Sequence, residues 1–552
     1  MQAEKLNRSG VERTAEEILV TAVVAGWVKT GRIAGGGAFA FVELSDGSTP
    51  MNLQCMVSEE VCTGSGIPSL SSILTTGTSL AIEGELKRTP EGTKQPVELK
   101  ATKILFCGPC DGAVYPIAKK KTSFEFLRTQ LHLRARTNTI SAIARVRNAL
   151  SLATHLFFQQ NGFLYVHTPI IGTSDAEGAG EAFQVTTLPM AADAVVSDPM
   201  LSEEGFEALV AECSAKGGEV KEAKVALKED PKNEELKLAV KERVDELMAL
   251  KGKIEKAKYR KDHPDGFVRT KEGTIDYNKD FFGLKSFLCV SGQLQGEMYA
   301  CAMSKIYTFG PTFRAENSHT SRHAAEFWMI EPEIAFADLE DVMNCAEDYV
   351  KFCCRYLLDN CSGDMQFFNR MIDKKVLSRV SAVAESKFAR CSYTEAIAIL
   401  EVEAKKRKGK KKFENEVFWG CDMASEHERF LAEEHFKCPT IVYNYPKDIK
   451  AFYMKLNEDG KTVAAMDVLV PGVGELIGGS QREENLDVLA DKMKAAHLDL
   501  EEYKWYLDLR RYGTVPHGGF GLGFERLIMF VTGVPNIRET IPFPRWPGNA
   551  LG

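Results

Sequence analysis

The sequence predicts a multidomain protein. A small all-β barrel comes first, followed by a larger α+β domain on a mainly antiparallel sheet that is interrupted by a helical insertion. Three observations carry this reading. Residues 18–107 hold five short strand-like runs separated by Gly-, Pro- or Ser-rich breaks. Beyond residue 136, strand-like and helix-like runs alternate irregularly, and strand-like runs such as KIYTFGPTFRAE and FWMIEPEIAFA lie close together, which suits antiparallel pairing. Residues 202–262 are rich in Lys and Glu and almost free of aromatics.

Taken in order, residues 1–17 are a polar tail that resembles neither a secretory signal nor a transit peptide. The runs ILVTAVVAGWV, AFAFVELSD, MNLQCMV, SLAIEGELK and VELKATKILF give five strands, and the common five-stranded barrel is the OB-fold. Phe39 and Phe41 are two apart and share a strand face; the pattern alone puts both in the core. Residues 108–135 form a linker or hinge with a basic run. Ile143, Val146, Leu150, Ala153 and Phe157 recur at helical spacing, and Gly162 ends that helix. FLYVHTPII then reads as a strand whose pairing Pro169 limits. The 202–262 segment reads as a helical hairpin with a seam of Leu238, Val244, Leu247, Leu250 and Ile254, broken at Gly217-Gly218 and at Asp230-Pro231. The remainder, 136–552, is the α+β domain.

Composition narrows the function. The chain has 552 residues, 44% of them hydrophobic and 26% charged, as in ordinary globular proteins. It contains no apolar run of about 18 residues, which argues against a membrane span. The 14 cysteines are scattered, and Cys107-x-x-Cys110 has no second pair at zinc spacing, so a reducing, cytoplasmic setting is expected. A net charge of −8 excludes a nucleic-acid coat over the whole surface but leaves room for a local basic groove. Neither G-x-G-x-x-G between a strand and a helix nor G-x-x-x-x-G-K-[ST] occurs, which disfavours both common parallel-sheet nucleotide folds.

Three segments carry chemistry. In FRAENSHTSRHAAEFW (313–328), Arg314 and Glu316 are two apart and are expected on one strand face, with Phe327, Met329, Glu331 and Glu333 on the returning strand. An arginine there can fork two N–H bonds to a phosphate, a carboxylate can accept from an exocyclic amine, and an aromatic can stack a purine. The set suits a nucleoside triphosphate. In AAMDVLVPGVGELIGGSQREEN, the carboxylates of Asp467 and Glu475 lie on glycine-rich segments, as Mg²⁺ bound beside phosphates requires. In YGTVPHGGFGLGFERLIMF, a glycine-rich strand runs into an apolar helix with Arg526 at the junction.

These segments resemble the signature motifs of class II aminoacyl-tRNA synthetases. FRAENSHTSRHAAEF is similar to the second motif and GFGLGFERL to the third. The 140–160 helix running into YVHTPII is similar to the first, dimer-forming motif. A preceding OB-fold marks the Asp, Asn and Lys subgroup. Within it, SDAEGAGEAF, VSGQLQGEMYA, MDVLVPGVGELIGGSQREE and IRETIPFPRWPGNA resemble the asparaginyl enzymes, over 18–189 and 276–552.

The resemblance implies an enzyme of protein biosynthesis. It would activate L-asparagine with ATP to an adenylate plus pyrophosphate, and then transfer asparagine to tRNA(Asn). Arg314, Glu316 and Arg526 would be catalytic. Arg322, His323, Phe327, Glu475 and Gly523 would complete the ATP site, with Glu475 and Asp467 on Mg²⁺. Glu177 and Gln293 would meet the α-amino end of the amino acid. Asparagine's side chain offers one acceptor and one donor group, which Arg482 and Glu297 would answer. Gly296 stands where the aspartyl enzymes carry a lysine, and a carboxylate at Glu297 would repel aspartate. Lys29, Arg32, Phe41 and Gln54 would bind the anticodon. A homodimer would form through the first motif. Aspartate–tRNA ligase and a non-catalytic RNA-binding paralogue are the alternatives, which amino-acid-dependent pyrophosphate exchange would separate.

Overall fold

The structure is a computed structural model that describes residues 20–89, 92, 95–117, 122–173, 182–188, 203–262, 267, 269–407, 409 and 412–550. The expected tail, 1–17, lies outside them. The chain divides into two compact units, one of 1–170, 175–181 and 290–552, the other of 171–174 and 182–289.

The first unit begins with strands β1 (Val20–Ala34), β2 (Phe39–Ser45), β3 (Leu53–Ser58), β4 (Ser79–Arg88) and β5 (Val97–Gly108). They close into a barrel in the order β1-β2-β3-β5-β4. Alternation fills it: Ala40, Val42 and Leu44 of β2 point inward with Cys55, Val57, Leu80, Ile82 and Leu99. Phe39 takes the opposite parity and leaves the core. It is partly exposed beside Phe41, with the rings 5.3 Å apart and edge to face. The sequence expectation for Phe39 fails because the inner face is filled by smaller aliphatic residues.

The linker is anchored. Ser123 caps the short helix Phe124–Arg128, and Leu131–Arg134 follows. The Arg134 side chain is 1% exposed and donates from Nη2 to the carbonyls of Ile541 (2.5 Å) and Pro542 (3.1 Å). Its Nη1 lies 3.4 Å from Glu539, and Arg128 Nε donates to the other Glu539 oxygen at 2.6 Å.

Next comes the helix Asn138–Gln160, capped by Thr137, which buries Ile143, Val146, Leu150, Ala153 and Phe157 as the spacing requires. The FLYVHTPII strand shrinks to β6 (Leu164–Tyr165), parallel to its neighbour. Pro169 has no N–H to extend the ladder. The central sheet adds β10 (Lys305–Phe313), β11 (Glu326–Ala335), β12 (Ala389–Ser392), β13 (Thr440–Pro446), β14 (Thr462–Val470), β15 (Gly474–Gln481) and β16 (His517–Gly523). Its order is β12-β13-β14-β15-β16-β11-β10-β6, antiparallel except at the two edges. Both faces are covered. On β14, Met466, Val468 and Val470 join one apolar cluster, and Val463, Ala465 and Leu469 join the other. Asp467 shares the parity of the second set and is the one residue of β14 that is not fully buried.

In the second unit, β7 (Ile171–Gly172), β8 (Gln184–Val185) and β9 (Ser286–Leu288) form a small antiparallel sheet in the order β7-β9-β8. Two long helices, Glu203–Glu229 and Glu234–Asp262, pack on each other. Leu209, Val220, Ala223, Leu250 and Ala257 are buried, and Lys216 pairs with Glu246 at 2.7 Å. The first helix runs through Gly217 and Gly218 without a break, since two glycines cost about 2 kcal/mol, which a long packed helix can absorb. Leu238, expected in the seam, is 59% exposed.

The linker anchor is testable. Arg134→Leu removes a buried guanidinium from the carbonyls of Arg538, Ile541 and Pro542 and from the Glu539 carboxylate. It should cost about 3 kcal/mol in urea denaturation of the catalytic domain, an effect an unanchored linker would not give.

Candidate active site

Sheet register assembles the site on one face of the sheet. Across β14, β15 and β16, Asp467 pairs with Gly478 and Gly478 with Gly521. One row along, Ser480 pairs with Gly519, and Gly519 with Glu333 of β11. Glycines therefore leave part of the face without side chains. At Gly519 the reason is close approach: a Cβ would collide with the Pro332 carbonyl and the Glu333 carboxyl. The odd-numbered residues of β11, from Phe327 to Glu333, share this face, while Ile330 and Ile334 enter the core.

A cavity of about 170 Å³ lies over the glycine floor. Arg314, Glu316, Arg322, His323, Phe327, Glu475, Gly523 and Arg526 all line it, together with Met329 and Gly521. The Arg314 guanidinium stands over the Phe327 ring at 5.5 Å. Arg526 Nη1 reaches Glu475 Oε2 at 3.2 Å. Arg322 Nη1 donates to Ser425 Oγ at 2.9 Å, and Nδ1 of His323 lies 3.0 Å from Ser318 Oγ. Burial, and then the nearby Arg526 charge, hold the His323 imidazole below its ordinary value. One local expectation is corrected. β10 ends at Phe313, so Glu316 is not on the strand; Arg314 adds one more rung, N–H to Ala325 O at 3.0 Å, and the chain then turns irregular. Both side chains still line the same cavity.

A second group is buried. Gln293, Glu297, Glu333 and Arg482 are each no more than 8% exposed. Arg482 grips Glu333 through Nε and Nη2 and donates from Nη1 to Ser480 Oγ at 2.8 Å. Glu297 receives Tyr506 Oη at 2.9 Å, Arg510 Nη2 at 2.8 Å and Gln293 Nε2 at 3.1 Å, with His517 Nε2 at 2.8 Å. Burial alone would raise this carboxyl; Arg510 and His517 more than reverse that and hold it below the usual carboxylate range. The sequence reading left out Tyr506, Arg510 and His517, and it placed Glu333 on the strand face without giving it a partner. PHGG and YLDLRRYG had no local pattern that tied them to Glu297. Glu177 lies outside the described residues.

The metal candidates sit at the cavity edge. A Cβ at Gly478 would lie 3.2 Å from Glu475 Oε1 and 3.4 Å from Asp467 Oδ1, so both oxygens reach one small space. Asp467 Oδ2 is paired with Lys450 Nζ at 2.8 Å, and that ammonium lies 4.0 Å from the centre of the Tyr445 ring. Glu428 accepts the Glu475 N–H at 3.0 Å and is pushed up to about 7, by burial first and then by the Glu475 charge. Among the described residues no three His, Cys, Asp or Glu converge as a metal cluster. Two hard carboxylates do fit a magnesium ion, which takes its other ligands from water and substrate phosphates.

Arg32, Phe41 and Gln54 share the outer face of β1–β3, while Lys29 sits at the register shift between Val28 and Thr30. Arg32 stands 5.1 Å over the Phe41 ring. Gln54, in register with Glu43, donates from Nε2 to Glu98 at 2.8 Å. Lys29 is turned toward the linker, Nζ to Arg136 O at 2.5 Å.

Comparison with known proteins gives three findings. Residues 123–193 and 268–547 match the family of class II tRNA synthetases for D, K and N, and 22–105 match an OB-fold nucleic acid binding domain. The chain is 54% identical to "Asparagine--tRNA ligase, cytoplasmic 3" of Arabidopsis thaliana over 96% of this chain and 91% of that one. Identity is 50% to "Asparagine--tRNA ligase" of Protochlamydia amoebophila (strain UWE25), over 95% and 94%. Asparaginyl-tRNA synthetase from Pyrococcus horikoshii, solved with asparaginyl-adenylate, superposes with a TM-score of 0.70 at 27% identity, covering 98% of this chain and 100% of that one.

The Lys450 pair gives a prediction independent of activity. Lys450→Met leaves Asp467 beside Glu475 and Glu428 with no cation and should cost about 3 kcal/mol in urea unfolding. Asp467→Asn in the same background should recover most of it, and a strictly additive double mutant would contradict the pairing.

Proposed function

We propose how this site works from one premise: the chain belongs to the class II aminoacyl-tRNA synthetases of the Asp, Asn and Lys subgroup, and among them to the asparagine–tRNA ligases. It joins asparagine to tRNA with ATP. The observation that supports the following division of labour is the glycine-floored cavity in which Arg314, His323, Glu475 and Arg526 gather around Phe327.

The adenine stacks on Phe327, with Arg526 on its other face, and Glu316 accepts from the base or ribose side. Gly521 and Gly523 let the nucleotide approach the backbone. Arg322, His323 and Arg526 address the terminal phosphates. The asparagine carboxylate attacks the α-phosphorus in line and the bond to pyrophosphate breaks. Arg314 forks two N–H bonds to the equatorial oxygens, where negative charge grows. No protein nucleophile is used, so these residues act by orientation and charge. Glu475 and Asp467 would hold Mg²⁺, which when bound supplies positive charge to the phosphates. In the second half-reaction the terminal ribose hydroxyl of the tRNA attacks the activated carbonyl, and AMP leaves.

Amino-acid choice falls to the buried group. Arg482 faces the side-chain carbonyl of asparagine, Gln293 and Glu177 meet its ammonium, and Glu297 adds negative charge that disfavours aspartate. Glu297 and Glu333 balance Arg482 and Arg510, so a further carboxylate from aspartate finds no spare cation.

On the barrel, an anticodon base stacks on Phe41 after displacing Arg32, Gln54 reads a base edge, and Arg32 and Lys29 turn to backbone phosphate. Leu152 and Leu164, 51% and 46% exposed, lie on the first motif and suit a homodimer contact. A cytoplasmic location agrees with the described cysteines, none of which is in a disulfide. No described helix is long and apolar enough to cross a membrane. The 202–262 hairpin has two readings, a spacer with solvated Lys and Glu faces and a non-specific tRNA contact, and its deletion separates them.

Arg314→Ala should lower asparagine-dependent ATP–pyrophosphate exchange by about 10³-fold or more, and near-normal exchange would refute the phosphate assignment. Deleting 202–262 decides between the two readings of the hairpin: weaker tRNA binding with a flatter salt dependence assigns it to tRNA contact, and identical affinities across a salt series make it a spacer.

A further inference from the structure

A buried network lies behind Gln293. Gln293 and Glu297 are four apart on the helix Gln293–Met303 and share a face. Tyr506 and Arg510 are four apart on the helix Lys504–Arg511. The two pairs meet across one carboxylate. Glu297 is 0% exposed, and its oxygens are taken by Tyr506, Arg510, His517 and Gln293. An ionised carboxylate only accepts, so it can bind Gln293 only through the carboxamide NH₂. That fixes which way the amide points. The oxygen of Gln293 is turned away from Glu297.

We propose that Tyr506 and Arg510 are positioning residues for asparagine: they hold Glu297, which holds the Gln293 carboxamide with its oxygen presented to the ammonium of the amino acid. The proposal rests on the reading that Gln293 meets that ammonium. Without Arg510, a buried carboxylate loses the permanent cation in direct contact with it, and neutralising it would let the Gln293 amide turn over. A donor would then face the substrate's ammonium. Arg510 uses Nη2 on Glu297 and Nε on the Glu483 carbonyl at 2.9 Å, while Nη1 finds no partner among the described residues. A lysine could therefore keep the charge and the single contact that matters.

The test is ATP–pyrophosphate exchange by the full-length protein, with asparagine and ATP varied separately. Arg510→Met should raise KM for asparagine about tenfold or more while KM for ATP stays within about twofold, the size of losing one buried charged partner. Arg510→Lys should return most of the loss. Tyr506→Phe removes one hydroxyl with little risk to folding and should raise KM for asparagine about threefold. If Arg510→Met does not fold, Arg510→Lys and Tyr506→Phe decide. Unchanged KM for asparagine in the folded variants overturns the proposal, as does a parallel rise for ATP, which would mean a general disturbance. Gln293→Leu separates the two levels. If it leaves KM for asparagine unchanged, the reading of Gln293 fails. If it raises KM while the Arg510 and Tyr506 variants do not, only the positioning role fails.

Discussion

A carboxylate without a counter-charge inside a protein is among the most destabilising arrangements a fold can contain. Several carboxylates lie on or against one face of the central sheet: Glu331, Glu333 and Asp467 on its strands and Glu297 on the helix Gln293–Met303. The local architecture follows from supplying each with donors. Glu333 has the Arg482 fork, and Glu297 has Arg510 with Tyr506. Glu331 accepts from Ser291, from the Gly292 N–H at 2.9 Å and from Thr308 at 3.1 Å. Asp467 has Lys450. The helices Gln293–Met303 and Lys504–Arg511 are tied to the sheet by these contacts as much as by apolar packing. Carboxylates fixed by such partners suit a reaction that proceeds by orientation and charge.

Cavity and buried group divide the work by exposure. Around the cavity, Arg314, Arg526 and Glu475 keep partners they can exchange: a ring face, or an ion pair at 3.2 Å. In the buried group the pairs are shorter and enclosed. The first arrangement suits a large, highly charged ligand that must enter and leave. The second suits the rejection of a near-isostere, since a wrong side chain would leave buried groups unpaired.

Much of this was legible in the sequence because it is local. The parity of β11 puts Phe327, Met329, Glu331 and Glu333 on one face, and the glycines of β16 announce close approach. Arg314, Glu316, Arg322, His323, Phe327, Glu475, Gly523 and Arg526 do line one cavity. What was not legible is long-range or depends on competition. Arg510 is 213 residues from Glu297, and no periodicity links them. The pattern alone puts Phe39 in the core, but the barrel interior is taken by Val42, Leu44 and Ile82. Gly217 and Gly218 read as a break, yet packing over a long helix outweighs their propensity. Glu316 kept its place at the site after losing the strand that was supposed to hold it.

The seating of Arg134 bears on how the chain comes off the ribosome. The barrel can close as soon as its own residues have emerged, since its strands pair only with one another. The catalytic domain cannot finish in that order. Arg134 is made early, but the carbonyl that receives it at 2.5 Å belongs to Ile541, 407 residues later. At synthesis rates of roughly 5–20 residues per second, that guanidinium waits tens of seconds for its partner. Vectorial synthesis therefore delivers a finished RNA-binding module tethered to an unfinished catalyst, and the segment around Ile541 closes the seam that Arg134 began.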